Sequence, residues 1–171
     1  MRFSNASLLP PNDISVRDAS EVDDAFHPRY SVKEKEYRSI ISNFSTRDPF
    51  SDGRAYFYPR KLDAEIMNQA AQHLIGKHDF KAFMAAGSKI EDTVREIYSC
   101  SVTRDGDTVT VSVRGNGFLY NMVRIIVGTL IAVSEGKISV DDVKNIIESK
   151  ERKNAGATAP ADGLYLYNVT Y

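Results

Sequence analysis

With 171 residues, 42% of them hydrophobic and 26% charged, the chain has the composition of one ordinary globular domain, large enough to bury a core without disulfides or metals. Its 22 Lys+Arg against 23 Asp+Glu give a formal charge of −1, which excludes the overall basic balance of a dedicated nucleic-acid binder, and no clustering of Lys and Arg marks a local basic face. A single cysteine, Cys100, rules out an intrachain disulfide and suits a reducing cytoplasm, and no apolar signal core follows Met1-Arg2-Phe3-Ser4-Asn5.

The first 31 residues read as loop-rich, with a turn cluster at Leu9-Pro10-Pro11-Asn12-Asp13 and a short strand expected at Ile14-Ser15-Val16. Ser31 to Asn43 reads as a long strand. Lys33, Lys35, Tyr37, Ser39 and Ile41 share one face, and Glu34, Glu36, Arg38 and Ile40 the other. Neither face is strongly apolar, so this strand is expected to offer polar groups to a cleft or to solvent. Residues 44–53 form a loop. Leu62 to Ile75 is a helix by the spacing of Leu62, Ile66, Met67, Ala70 and Leu74, with Asp63 and Glu65 at its positive end and Gly76 as its stop.

Val94–Arg104 and Thr108–Arg114 alternate as strands around the hairpin signal Asp105-Gly106. Phe118 to Ser134 is apolar nearly all round, too short for a comfortable membrane span, and interrupted by Arg124. It is expected to be a central core helix. Ser139 with Asp142 resembles a capping box that opens a helix to about Ile147. A Gly/Ala/Pro-rich loop at 155–163 leads into a last strand, Leu164 to Val169. This order predicts one α+β domain: an antiparallel sheet with helices packed on one face.

Little in the chain suggests a cofactor. His27, His73 and His78 lack ligand-like spacing to one another or to Cys100, so no metal is expected, and no phosphate-cradling Gly-rich loop links a strand to a helix. Gly115-Asn116-Gly117 reads better as a tight turn than as an anion cradle. Cys100 reads as a small core residue. In His78-Asp79-Phe80-Lys81-Ala82-Phe83 two rings bracket polar groups. They could frame a base-stacking site, but core rings on a short helical turn capped by Asp79 explain them more simply.

Arg124 is the most informative residue. A guanidinium cannot shed its proton to escape an apolar helix face, so it requires an anion or an exposed edge. A structural role, snorkelling or pairing with an Asp, weighs equally with a functional one on residue chemistry alone.

Several segments together resemble one family. They are Gly115-Asn116-Gly117-Phe118-Leu119-Tyr120-Asn121-Met122-Val123-Arg124 with its continuation to Leu130, Leu8-Leu9-Pro10-Pro11, and Phe26-His27-Pro28-Arg29-Tyr30-Ser31. Lys35-Glu36-Tyr37-Arg38, Gly76 to Phe83, Ala155 to Ala161 and Gly163-Leu164-Tyr165-Leu166 complete the set. In this order they are similar to the C-terminal part of the type A tRNA pseudouridine synthases and span nearly the whole chain.

The resemblance implies a cofactor-free, cytoplasmic isomerase, homodimeric in the parent protein, that acts on uridines of the tRNA anticodon arm. It breaks the N1–C1′ bond, turns the uracil and rejoins it through C5, after flipping the base into a pocket. By resemblance, Tyr37 contacts the flipped base, Arg124 pairs with the catalytic aspartate, Leu164 or Leu166 packs near the base, and His78, Asp79 and Phe80 support the cleft. The family's Gly-Arg-Thr-Asp-Ala-Gly-Val-His motif is not found here: Gly53-Arg54 runs into Ala55-Tyr56, and Thr46-Arg47-Asp48 into Pro49. The chain is therefore expected to be the C-terminal domain of a two-domain synthase, residues 1–171, lacking the aspartate-bearing N-terminal domain and inactive alone. Two other readings stand beside it: a non-catalytic RNA-binding or dimerisation module, and an enzyme in which Asp79 is the active carboxylate.

Overall fold

The computed structural model describes residue 11 and residues 13–171; Leu8, Leu9, Pro10 and Asn12 of the expected turn and motif lie outside the described residues. The chain divides into two units at Ser31. Within the first, no strand forms at Ile14–Val16, where Ile14 and Val16 are 56% and 70% exposed. Three residues find no partner strand for their backbone there, so the alternation has nothing to act on. Local turns replace it: Phe26 N donates to Asp23 O, Ser31 N donates to His27 O, and the rings of His27 and Tyr30 lie 4.4 Å apart.

The second unit is an α+β domain built on a six-stranded sheet: β1 (Glu34–Ser42), β2 (Tyr56–Phe57), β3 (Gly76–Asp79), β4 (Val94–Asp105), β5 (Thr108–Gly115) and β6 (Leu164–Thr170). Across the sheet the order is β3, β4, β5, β1, and β6 and β2 share the outer side of β1. All pairings are antiparallel except β1 with β2, so the sheet is mixed rather than purely antiparallel. The two-residue β2 and the four-residue β3 are too short to show a period and escape a reading by alternation. The β4–β5 turn falls on Gly106-Asp107, one residue later than expected, with Gly106 supplying the positive φ (54°) that this tight hairpin needs.

One face of the sheet is buried. Val109, Val111 and Val113 are fully covered and stand in register with Ile41, Ser39 and Tyr37 of β1. Against that face pack α1 (Ala64–Ala71), α2 (Met122–Ser134) and α3 (Asp142–Ser149). Asp63 caps α1 by accepting from the Glu65 and Ile66 amides. The capping box ahead of α3 is present: Ser139 Oγ donates to Asp142 at 2.6 Å and accepts from its amide at 3.2 Å. The largest departure from expectation is the start of α2. It begins at Met122, not Phe118, because Asn121 adopts a left-handed conformation (φ 57°) that breaks the helical path. Gly117 to Asn121 is thereby freed from helix and becomes a short connection across the end of the sheet.

Candidate active site

Three segments distant in sequence converge on the β1–β6 side of the sheet. Tyr37 of β1 stands directly opposite Val113 of β5 and Leu166 of β6, so all three project from the same face. Leu164 is opposite Ser39, one pair further along that face. Leu164 is half-buried against the core, whereas Leu166 is 51% exposed. Phe118, from the connection ahead of α2, lays its ring edge-on against Tyr37 with centroids 5.2 Å apart. No in-chain group accepts from or donates to the Tyr37 hydroxyl among the described residues, and no buried side-chain oxygen is left without a partner, so the hydroxyl is open to solvent.

Arg124 occupies the first turn of α2 and is half-buried. Its Nε donates to Ala159 O at 2.6 Å and its Nη1 donates to Asn121 Oδ1 at 3.1 Å. Both acceptors are neutral. None of the ion pairs among the described residues includes Arg124. The charge is thus oriented but not neutralised, and part of the fork remains for an anion supplied from outside these residues. Ala159 also donates its amide to Arg124 O at 3.1 Å, and five residues beyond it the same loop enters β6 at Leu164. One loop therefore joins Arg124 to the Leu164–Leu166 strand.

His78, Asp79 and Phe80 are not brought to this point. They lie on and just after β3, at the opposite edge, separated from β1 by β4 and β5, about 14 Å at ordinary strand spacing. His78 Nε2 sits 3.0 Å from Ile75 O. Phe80 and Phe83 are fully buried core rings, so Phe80 offers no surface to a ligand. Asp79 accepts from Thr93 Oγ1 at 2.5 Å, from Lys81 N at 3.1 Å and pairs with Lys150 Nζ at 2.9 Å. Partial burial pushes its carboxyl up, but these donors outweigh that effect and leave it below the usual carboxylate range. Asp79 is an ionised carboxylate whose contacts tie α3 and the 93–94 segment to β3. The N-cap position of the turn at Lys81–Phe83 falls to Phe80, which makes no side-chain cap bond; Asp79, expected as the cap, stands one residue earlier and within that turn reaches only the Lys81 amide. Asn116 bonds twice to Glu96 of β4, accepting from its amide and donating to its carbonyl, as a turn residue would.

Phe118, Asn121 and Ala159 take part in this arrangement although residue chemistry alone did not single them out. Asn121 carried a readable signal, since asparagine is the side chain that best tolerates left-handed backbone after glycine. The continuous apolar run from Phe118 masked it. Among the described residues no group of three or more His, Cys, Asp or Glu side chains could hold a metal, and no helix is long and apolar enough to cross a membrane.

The geometry defines an α+β domain that presents an uncompensated arginine, an open tyrosine and an exposed leucine on adjoining elements. Comparison with known proteins gives the family of the chain. Residues 70–171 match the family described as tRNA pseudouridine synthase. The chain is 48% identical over 169 residues to tRNA pseudouridine synthase A of Bacillus pumilus, covering 99% of this chain and 68% of that protein. It is 47% identical to the enzymes of the same name from Bacillus subtilis, over 96% of this chain and 67% of the relative, and Acetivibrio thermocellus, over 99% and 70%. The chain belongs to the tRNA pseudouridine synthase family, and it spans about two thirds of the length of these relatives.

Proposed function

We propose that this chain is the part of a tRNA pseudouridine synthase that cradles the target uridine of the anticodon arm, while the reacting aspartate comes from a domain ahead of it. The observation that carries the reading is Arg124: half-buried, anchored through Nε and Nη1 to neutral acceptors, and without a carboxylate partner among the described residues. An arginine fixed in this way lowers the pKa of a carboxylate that docks against it and keeps it ionised, the form the reaction requires. The Tyr37 ring, braced by Phe118, offers a face and an open hydroxyl to a base removed from its stack, and Leu164 and Leu166 supply the apolar wall beside it.

In the isomerisation the N1–C1′ bond breaks, the uracil turns within this wall, and a C5–C1′ bond forms. The hydrogen lost from C5 is balanced by one gained at N1, so no redox cofactor is required. Arg124 is the partner of the aspartate; Tyr37, Leu164 and Leu166 hold the base; His78, Asp79 and Phe80 support the sheet from its far edge. The homodimeric parent and the cytoplasmic setting belong to the same proposal and rest on the family alone.

The test is pseudouridine formation on an unmodified tRNA transcript, by this chain with and without an added aspartate-bearing domain. Turnover only on addition supports the reading. Turnover by the chain alone would place the active carboxylate within these residues and overturn it. In the complemented enzyme, Arg124→Leu lowers turnover far more than tRNA affinity; equal losses in both would reduce Arg124 to a phosphate contact.

A further inference from the structure

Arg152, like Arg124, has no carboxylate partner among the described residues, and its side-chain hydrogen bonds all go to one loop. It lies in the 3-10 turn Arg152–Asn154 and is half-buried. Its Nη1 donates to Ala155 O at 3.3 Å and Gly156 O at 2.9 Å, and its Nη2 donates to Thr158 Oγ1 at 3.1 Å. The same loop is fixed from its other side by α2. Thr129 Oγ1 donates to Ile125 O at 2.8 Å and accepts from Gly156 N at 2.9 Å, so one hydroxyl joins helix and loop. Two glycines let the backbones touch: a β-carbon at Gly156 would lie 2.6 Å from the Gly128 carbonyl, and one at Gly128 would overlap the Ala157 carbonyl oxygen. Three residues further on, Ala159 grips Arg124 twice, through its amide to Arg124 O and through its carbonyl to Arg124 Nε.

We infer that Arg152 and Thr129 are positioning residues that aim the Arg124 guanidinium through the 155–159 loop. A guanidinium is planar, so anchoring Nε on Ala159 and Nη1 on Asn121 defines its plane and leaves Nη2 pointing one way. Of these two anchors, Asn121 is local to the start of α2. Ala159 is brought from 35 residues away, and its position is set by what holds the loop. Arg152 braces the loop from Ala155 to Thr158 and Thr129 holds it at Gly156; Ala159 then presents its carbonyl where Nε can reach it. Without the braces Ala159 drifts, the guanidinium turns about its remaining anchor, and a carboxylate docking from outside meets a mobile partner. The catalytic consequence rests on the reading of Arg124 given above; the aiming itself does not.

The experiment uses Arg152→Ala, Arg152→Lys and Thr129→Val. The first readout, in the 171-residue chain itself, is solvent exchange of the Arg124 Nε–H followed by 15N NMR, with the Arg38 Nε–H as control because it donates to Glu36 at 2.7 Å on the opposite face of the sheet. The second is turnover and tRNA affinity in the complemented enzyme. Arg152→Ala and Thr129→Val should each accelerate Arg124 Nε–H exchange about tenfold, the effect of one lost hydrogen bond, and leave Arg38 unchanged. Turnover should fall by about the same factor with tRNA affinity within about twofold. Arg152→Lys should recover part of the loss, since its three donors sit on one nitrogen and cannot span the acceptors that Nη1 and Nη2 reach separately. Unaltered Arg124 exchange in Arg152→Ala, a change outside the buried core that keeps the test available if Thr129→Val does not fold, overturns the inference. Faster exchange with undiminished turnover upholds the aiming and instead overturns the catalytic role assigned to Arg124.

Discussion

Gly128→Ala sets two opposing effects against each other, and the structure decides the sign. Gly128 sits in the middle of α2, and replacing a mid-helix glycine by alanine ordinarily stabilises a protein by about 1 kcal/mol. Here the new methyl would overlap the Ala157 carbonyl oxygen, and that oxygen is backbone, so the relief has to come from moving the loop. Restoring an ordinary carbon–oxygen contact requires a shift on the order of 1.5 Å. A shift of that size breaks the Gly156–Thr129 bond at 2.9 Å and the two Ala159–Arg124 bonds at 3.1 and 2.6 Å. At roughly 0.5–1.5 kcal/mol each, three bonds cost about 1.5–4.5 kcal/mol, which exceeds the propensity gain and leaves a net loss of about 0.5–3.5 kcal/mol. For a domain of this size that lowers the melting temperature by about 1–14 °C, read by circular dichroism or calorimetry. An unchanged or raised melting temperature would refute the argument, because it would mean that the loop yields without losing its bonds.

The remaining predictions concern charge and reactivity. Glu135 accepts from Tyr58 Oη at 2.6 Å and Arg60 Nη1 at 2.7 Å and pairs with Lys137 Nζ at 2.7 Å, with Lys137 the largest cause of a carboxyl lowered from 4.5 to about 2. Because the folded-state value is depressed, this stabilisation is complete above about pH 4.5 and disappears as pH falls toward 2. Arg60 and Lys137 are 74% and 65% exposed, and solvent screening reduces the contribution to roughly 1–2 kcal/mol, or about 3–6 °C. Glu135→Gln should therefore flatten the acid side of the stability–pH curve and lower the plateau near neutrality; a variant with the same acid slope as the parent would refute the assignment. Cys100 is 2% exposed and burial pushes its thiol up to about 12, so it should resist alkylation at pH 8 in the native state and react fully only in denaturant. Native-state labelling at the rate of a free thiol would show that β4 opens far more readily than its pairing implies.

Some features of this protein are local and can be read from neighbouring residues alone. The period of Val109, Val111 and Val113, the spacing from Leu62 to Leu74 and the Ser139–Asp142 box each involve residues close along the chain, so a periodicity or a capping pattern suffices to read them. The family motifs were legible for the same reason: their residues are contiguous. Arg124 could be recognised as an arginine in need of a partner, since a permanent charge in an apolar helix poses that question wherever it occurs.

What answers the question is not local. That Tyr37 faces Leu166 depends on the β1–β6 register, which includes a shift between Glu36 and Tyr37. That His78 and Asp79 stand across the sheet from Tyr37 depends on strand order, which periodicity does not specify. Asn121 turns left-handed where the apolar run from Phe118 predicted helix, and Ala159 crosses α2 only because Gly128 and Gly156 permit contact between the two backbones. Register, strand order and close backbone approach are set by the packing of the whole core, whose surfaces come together only when distant segments fold against one another.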